Sequence, residues 1–321
     1  MSTHLASIAM AGGAAALAWV ATPAVAWHDE AHVYSSIAAV ETLPDEVPAF
    51  FRDAAHDIAQ GSIDPDAFKH PQTPQLNRAE GPEHYFDLEY LEGHALPPDR
   101  YAYLALLREL EVDPHSVGTL PYAIAEWAQR LTLAFAEVRA DPDDAHARMK
   151  AIVYAGVLAH YAGDLTMPLH VSIHWDGRAN PDGSSPRTGI HQKIDALPTH
   201  LPFDAFFAEP LPPLAEVAPD SDGLFGFIVE SIDESRSHVD MAYELEDRLP
   251  DPRPLGIEDE EVIAFTVDRT RQAAWVIASL FLQCWEASAE IEPHWWLDRP
   301  AFREGFDRSI VPAQPTPPAG Q

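Results

Sequence analysis

The 321-residue sequence predicts an all-α protein, a single mostly helical domain with several long loops. Apolar residues recur at helical spacing through most of the chain after residue 27, and no run of alternating polar and apolar residues predicts strands. The 30 prolines fall mainly in the connections between helical segments. A hydrophobic content of 46% is enough for a packed core. We therefore expect helices packed around that core, without a sheet.

The N-terminal residues 1–26 predict a secretory signal peptide. They contain no Lys, Arg, Asp or Glu, and an apolar stretch at 5–20 is followed by a small-x-small sequence at 24–26. An uncleaved anchor helix is the alternative, although the apolar run is short for a membrane span. Cleavage after Ala26 would make Trp27 the N-terminal residue, with His32 five residues on. We expect an exported protein, periplasmic or secreted, without a transmembrane anchor.

The apolar periodicity predicts long helices over residues 101–112, 121–140, 143–161, 222–248 and 257–289. The second is opened by the sequence Gly-Thr-Leu-Pro at residues 118–121, which places a proline in its first turn. The fifth opens with acidic residues, which favour a helix N-terminus. Residues 27–310 would form the helical domain, and the proline-rich tail at 311–321 is expected to be disordered.

The charge and the cysteine count exclude several classes. A formal net charge of −31 repels polyanions at long range, which is unlike a nucleic-acid scaffold. The only cysteine, Cys284, excludes an internal disulfide, and its apolar neighbours predict a buried thiol. An exported protein without disulfides must be held together by its core and by any metal that it binds.

A histidine and aspartate motif at residues 160–170 carries the most chemistry. His160 and Asp164 are four residues apart, so they face the same side of a helix end. Pro168 breaks a continuing helix, which lets His170 approach from a different direction. Imidazole and carboxylate together form a zinc-type ligand set.

The same four-residue spacing recurs at His191 and Asp195. Upstream, a further group contains Asp64, Asp66 and His84. One His-x3-Asp pair is a weak signal, because exposed helices carry many. Two such pairs, a histidine after a proline and a Trp-x4-His terminus are specific in combination.

Taken together, these motifs resemble the zinc-dependent superfamily that joins the fungal and plant single-strand-specific nucleases to the bacterial phospholipases C. Its members are mostly helical proteins with three zinc ions in a cleft. They begin at a tryptophan after signal removal and carry a His-x3-Asp-x5-His core that ends in Pro-Leu-His. The resemblance covers residues 27–196 by motif, and the later helices fit without a signature.

The resemblance implies three Zn²⁺ ions as cofactors. One zinc would be held by Asp66, His84, His160 and Asp164. A second would be held by His170, His191 and Asp195. A third would be held by the amine and carbonyl of Trp27, by His32, and by the far oxygen of Asp164. Asp64 stays open as an alternative to Asp66.

The resemblance also implies catalytic roles for Asp66, Lys69 and Asp164. Lys69 matches a basic residue of the nucleases; it can bind phosphate or remain a solvated lysine. Zinc ions can activate water and stabilise a leaving oxygen. Their charge outweighs that of the ligand carboxylates, so the cleft floor would be locally cationic in an acidic protein.

Spacing favours the nuclease branch. The Trp-x4-His terminus and the His191-x3-Asp195 pair match nucleases, whereas phospholipases place the first histidine further on and tend to use Glu in the second pair. Tyr85 and Asp87 would stack and bond a base, although phospholipases carry a similar string, and a packed tyrosine with a capping aspartate is the alternative. Asn180 falls in a turn where Arg and Ala replace the family's glycines, so its substrate contact is weakly supported.

The sequence therefore predicts an exported zinc-dependent phosphodiesterase, a single-strand endonuclease with 3′-nucleotidase-type activity. Its expected partner is single-stranded nucleic acid or a nucleotide, and no stable protein partner is inferred. The alternatives are a phospholipase C and a zinc-binding homologue without catalysis. Lipid chemistry would need an apolar rim, and Phe203, Phe206 and Phe207 could supply one, although a core role for them is favoured.

Overall fold

The computed structural model describes residues 29–91, 93–218 and 221–291. Across these residues the chain forms helices and turns, with two isolated bridges and no strand, which confirms the all-α prediction. None of the described helices is both long and apolar enough to cross a membrane. The predicted signal peptide at 1–26, the residue Trp27 and the predicted tail at 311–321 lie outside the described residues.

The α-helices follow one another along the chain with short 3-10 turns between them. They are α1 (Asp29–Thr42), α2 (Ala49–Arg52), α3 (Ala55–Gly61), α4 (Asp64–Phe68), α5 (Pro74–Glu80), α6 (Arg100–Glu109), α7 (Pro114–Val117), α8 (Leu120–Ala140), α9 (Ala145–Asp164), α10 (Ile190–Ala196), α11 (Phe203–Phe207), α12 (Ser221–Arg236), α13 (Val239–Glu244) and α14 (Glu260–Ala287). The 3-10 turns are Gly81–His84, Leu88–Leu91, Pro168–His170, Leu197–His200, Glu246–Arg248 and Ser288–Glu290.

The main core lies where α1, α3, α8, α9 and α14 pack on one another. Phe51 joins two of these helices, because its ring meets Phe135 of α8 and Phe281 of α14 edge-on at centroid distances of 5.0 and 5.4 Å. Cys284 is fully buried in this core, as its apolar neighbours predict, and its Sγ lies 3.3 Å from the Ala128 carbonyl oxygen. The helix α9 packs against this core along most of its length.

A second apolar cluster supports the turn Pro168–His170 and the short helix α10. Leu169 of the turn and Met167, which directly precedes it, pack with Ile194 of α10 and Phe265 of α14, and all four side chains are buried. Packing of this kind fixes short elements that could not form alone in water. The two histidine-bearing segments at 170 and 191 are therefore held by the same long helix.

The predicted helices at 101–112, 121–140, 143–161 and 257–289 are confirmed to within a few residues at their ends. The single helix predicted at 222–248 is wrong, because α12 ends at Arg236 and α13 begins at Val239. The Ser237 Oγ donates to the Glu234 carbonyl oxygen at 2.6 Å, and the His238 ring lies 3.1 Å from the same oxygen. These side chains compete for a carbonyl that a continuing helix would use.

Candidate metal centre

Eight of the predicted ligand residues converge at one end of α9. The i, i+4 spacing puts His160 and Asp164 on the same side of the last turns of α9, where both are fully buried. The others come from α1, from α4, from the turn Gly81–His84, from the turn Pro168–His170 and from α10. They are His32, Asp66, His84, His170, His191 and Asp195.

The side chains form three groups, and within each group the ligand atoms lie within 4.8 Å of one another. One group contains His32, His160 and Asp164, a second contains Asp66, His84 and His160, and a third contains His170, His191 and Asp195. Separations of this size are what one ion would need at the centre of each group. The described members of the predicted ligand sets thus lie close together, although His160 also belongs to the group of His32 and Asp164, where the prediction did not place it.

Asp164 connects the groups through its two oxygens. Its Oδ2 faces the His84 Nδ1 at 3.0 Å and the His160 Nε2 at 3.2 Å. Its Oδ1 faces the His32 Nε2 at 3.5 Å and the His170 Nδ1 at 3.2 Å. A carboxylate placed in this way can bridge two cations, as the resemblance implies for this residue. The His32 ring stacks on His160 at a centroid distance of 4.0 Å.

Two of the histidines are oriented by backbone carbonyls on their outer side. The His160 Nδ1 lies 2.7 Å from the Ser62 carbonyl oxygen, and the His191 Nδ1 lies 3.0 Å from the Trp175 carbonyl oxygen. Donation of the Nδ1 proton to a carbonyl leaves the Nε2 lone pair of each ring for a metal. The Nε2 atoms are the ones that face Asp164 and Asp195, at 3.2 and 3.1 Å.

The polar atoms of the centre fit cations. Both carboxylate oxygens of Asp195 are buried and accept no hydrogen bond from any described residue; only the rings of His170 and His191 face them, at 3.7 and 3.1 Å. Burying a carboxylate without hydrogen bonds is costly, and a bound cation removes that cost. Imidazole nitrogens and carboxylate oxygens are donors that zinc accepts.

The protonation states of His32 and Asp164 suit a metal. Burial, together with the neighbouring His160, lowers the pKa of His32 to about 3, so this imidazole is neutral near pH 7. Burial alone would raise the pKa of Asp164, but His160 and His170 bring it well below the usual value, so the carboxyl is ionised. Neutral imidazole and ionised carboxylate are the forms that bind metal.

Asp66, rather than Asp64, belongs to the centre. Asp64 is exposed on α4, whereas the Asp66 Oδ1 lies 3.9 Å from the His84 Nδ1 and 3.8 Å from the His160 Nε2. The Lys69 Nζ approaches the same oxygen at 2.6 Å. The amine and carbonyl of Trp27 lie outside the described residues, so the third ligand set stays a prediction beyond its His32 and Asp164.

A cleft with a volume of about 900 Å³ opens onto the centre, and His84, His170 and His191 form part of its wall. The predicted residues Lys69, Tyr85 and Asp87 also line it. Gly118 (φ +88°) lies so close to the Tyr85 carbonyl that an added Cβ would come within 2.0 Å of its oxygen. The Tyr85 hydroxyl donates to the His115 carbonyl oxygen, which anchors the ring at the cleft wall.

Asp87 is almost completely buried at the cleft wall. Burial, together with the negative charge of Glu89, raises the pKa of Asp87 well above the usual range, which favours the neutral acid. A neutral carboxyl can both donate and accept a hydrogen bond. Asp87 directly precedes the 3-10 turn Leu88–Leu91, so its role as a cap stays an alternative.

Asn180 does not reach the cleft. It is exposed in the loop between the turn Pro168–His170 and α10, and its amide donates to the Ser184 Oγ at 3.0 Å. The cleft wall includes Gly183 from this loop instead. The loop has a different role at Asp176, whose Oδ1 accepts from the backbone amides of Gly189 at 2.7 Å and His191 at 3.4 Å. Asp176 thereby fixes the start of α10.

The sequence motifs missed three residues of the site. Arg78 on α5 lines the cleft, and Trp175 lines it beside His191, with a centroid distance of 5.8 Å between their rings. Glu80 is buried behind His84. Arg78 and Glu80 precede His84 by six and four residues. No ligand spacing marks them, and only their nearness to a predicted ligand could have drawn attention to them.

No protein-family model and no curated protein sequence matches the chain. Among solved structures, the alpha toxin from Clostridium absonum matches with a TM-score of 0.44 and 13% sequence identity. The match covers 82% of this chain and 64% of that one, so the chain spans just under two thirds of the toxin's length. A superposition this loose does not establish a shared activity.

Proposed function

We propose that the protein is a zinc-dependent phosphodiesterase that cleaves single-stranded nucleic acid. The observation that carries the proposal is the set of three His/Asp groups, joined by the carboxylate of Asp164, at the wall of a cleft of about 900 Å³. Zinc, when bound by such groups, supplies Lewis acidity and an activated water for attack on phosphorus. Asp164, His160 and the other ligands would hold the ions, and the remaining residues of the cleft wall would bind the substrate.

Phosphate binding is supported by two cationic side chains that line the cleft. Lys69 and Arg78 are the basic residues along its described wall, beside the histidines. Lys69 is paired with Asp66 at 2.6 Å, whereas Arg78 makes no ion pair with any described residue. In a protein with a net charge of −31, these cations and the bound metal ions would provide the local attraction for phosphate.

Nucleobase binding is supported by the aromatic residues and by the neutral carboxyl. Tyr85, Tyr90 and Trp175 line the cleft, and base stacking on such rings contributes about 1–3 kcal/mol per base. A protonated Asp87 beside them could both donate to and accept from a base edge. This combination of cations, rings and a hydrogen-bonding acid favours a nucleotide over a lipid.

A phospholipid substrate finds less support. Of the candidate rim residues, Phe206 is buried, and Phe203 is half-buried with its ring 5.6 Å from that of Tyr34 on α1. Neither lines the cleft, and Phe207 does not either. A strongly acidic protein would also be repelled by anionic membranes.

The test uses zinc-loaded protein that begins at Trp27, given single-stranded DNA, a 3′-mononucleotide and phosphatidylcholine vesicles in parallel. We expect cleavage of the DNA and release of phosphate from the nucleotide, with the vesicles intact. An Asp164→Asn variant should lose activity, whereas Asp233→Asn, at an exposed position of α12, should retain it. Cleavage of the vesicles alone would contradict the nuclease proposal, and cleavage of no substrate by a zinc-loaded protein would favour a role without catalysis.

Export and processing are part of the proposal, because the third ligand set needs a free amine at Trp27. A protein that carries extra residues before Trp27 should bind one zinc equivalent fewer than the protein that begins at Trp27. A purely structural N-terminus would tolerate the extension, and equal zinc content in the two forms would contradict this part of the proposal.

A further inference from the structure

Behind the metal centre lies a carboxylate that the ligand sets do not use. Glu80, the last residue of α5, is only 8% exposed. Its Oε1 accepts a hydrogen bond from the Tyr161 hydroxyl and lies 3.6 Å from the His84 Nε2, which is an ion-pair distance. Tyr161 is itself buried, next to His160 on α9. The contacts therefore run from Tyr161 to Glu80 and from Glu80 to His84, which belongs to the metal centre.

The opposite nitrogen of His84 faces the other ligands. Its Nδ1 lies 3.0 Å from the Asp164 Oδ2 and 3.0 Å from the His160 Nε2. The ring is therefore oriented with Nδ1 toward the centre and Nε2 toward Glu80. This is the reverse of His160, in which Nε2 faces the centre and Nδ1 faces a backbone carbonyl.

An imidazole offers a lone pair to a metal from one nitrogen only when its proton sits on the other nitrogen. For His84 that requires a proton on Nε2, and the group that faces this atom is the carboxylate of Glu80. A carboxylate behind a ligand histidine fixes the tautomer and strengthens the ring as a donor. His160 and His191 have neutral carbonyl oxygens in that place, so His84 differs from them in having an anionic partner.

We propose that Glu80, held by Tyr161, is a positioning residue that keeps His84 in the tautomer with the proton on Nε2. It thereby raises the affinity for the metal ion that Asp66, His84 and His160 share. The inference rests on the zinc centre of the proposed function and is independent of the substrate.

Another role for this carboxylate finds no support among its described neighbours. Its contacts are with His84 and Tyr161, and no described lysine or arginine pairs with it. Glu83, three residues on, provides the contrast, because its oxygens take two hydrogen bonds from Arg100, at 2.6 and 2.9 Å. Burying an anion is costly unless it is paired, and His84 is the ionisable partner that is present.

The experiment measures zinc affinity by competition with a chromophoric chelator, and a separate affinity is obtained for each zinc ion bound per protein. Glu80→Gln and Tyr161→Phe should each lower the affinity for one zinc ion by about 10–100-fold and leave the affinities for the other ions unchanged. Glu83→Gln removes a carboxylate from the same region that does not face a ligand, and it should leave every equivalent unchanged. In an Asp66→Asn background, which removes a ligand of the same ion, Glu80→Gln should weaken none of the remaining equivalents.

Thermal unfolding in the presence of chelator separates positioning from simple stabilisation. A positioning role leaves the melting temperature of metal-free Glu80→Gln close to that of the wild type, because the amide oxygen still accepts from the Tyr161 hydroxyl, while the affinity for one zinc ion falls. Unchanged zinc affinity in both variants, or a uniform loss from all equivalents that follows a lower metal-free melting temperature, would overturn the inference alone. Wild-type protein that binds no zinc would overturn the proposed function as well.

Discussion

The contact between α3 and α9 makes Gly156→Ala a sharp test of how the centre is supported. An added Cβ at Gly156 would lie 2.9 Å from the Cα and C atoms of Gly61 and 3.0 Å from the Ile58 carbonyl oxygen. All three are backbone atoms, so no side-chain rotation can relieve the overlap. Ordinary contacts begin near 3.4 Å, so the helices must separate by about half an ångström.

The expected loss of stability follows from two opposing terms. Overpacking of this kind costs about 1–3 kcal/mol, and replacing glycine by alanine in a helix returns about 1 kcal/mol. We therefore expect Gly156→Ala to lower the free energy of unfolding by up to about 2 kcal/mol. Gly226, inside α12, has no atom within 4 Å of its added Cβ, so Gly226→Ala should raise the free energy of unfolding by about 0.4–1 kcal/mol.

Gly156→Ala should also disturb the metal centre, because α3 leads directly to Ser62. The Ser62 carbonyl oxygen orients His160 through a contact of 2.7 Å, and separating the helices lengthens it. Urea unfolding and zinc competition on Gly156→Ala, Gly226→Ala and Gly61→Ala provide the assay. The Gly61 Cβ would meet Gly156 at an ordinary 3.5 Å and should be tolerated. Equal stability and zinc affinity of the Gly156 and Gly226 variants would refute the reasoning.

Three further predictions concern the metal, the cleft and pH. Removing zinc with a chelator should lower the melting temperature and abolish cleavage, because Asp195 then stays buried without hydrogen bonds. A ligand at about 1,000 times its Kd contributes about 4 kcal/mol to the free energy of unfolding. An unchanged melting temperature would argue against a metal centre. Arg78→Ala should lower kcat/KM for an oligonucleotide and weaken the salt dependence of kcat/KM. Hydrolysis of the small diester bis(4-nitrophenyl) phosphate should stay as in the wild type. Equal losses on both substrates would contradict a role of Arg78 in binding flanking phosphates. Burial alone would raise the pKa of Glu89, but hydrogen bonds from its own backbone amide, from the Ser172 hydroxyl and from the Ile173 amide, together with the charge of Arg236, lower it. The stabilisation by Glu89 is therefore present above about pH 4.3 and is lost as the pH falls through the lower folded-state pKa. In metal-free protein, Glu89→Gln should therefore reduce stability in urea more at pH 7 than at pH 3, and a pH-independent difference would contradict this assignment.

Several parts of the fold and of the centre can be predicted from the sequence by itself. Helical periodicity and the turn residues locate α8, α9 and α14, because these rules act within a segment of a few turns. The i, i+4 spacing of His160 and Asp164 determines that they share a face. The split between α12 and α13 is also local, because the side chains of Ser237 and His238 contact a carbonyl three and four residues earlier, but apolar periodicity does not register such contacts.

Tertiary structure alone decided which residues meet. Asp164 faces histidines that are 132 residues before it and 6 after it in the chain only because α1 and the turn Pro168–His170 pack at the end of α9. The choice of Asp66 over Asp64, the carboxylate of Glu80 behind His84 and the exposure of Arg78 in the cleft arise in the same way. Local sequence sets the direction of a side chain within its own helix, whereas its neighbours depend on how helices distant in sequence share a core.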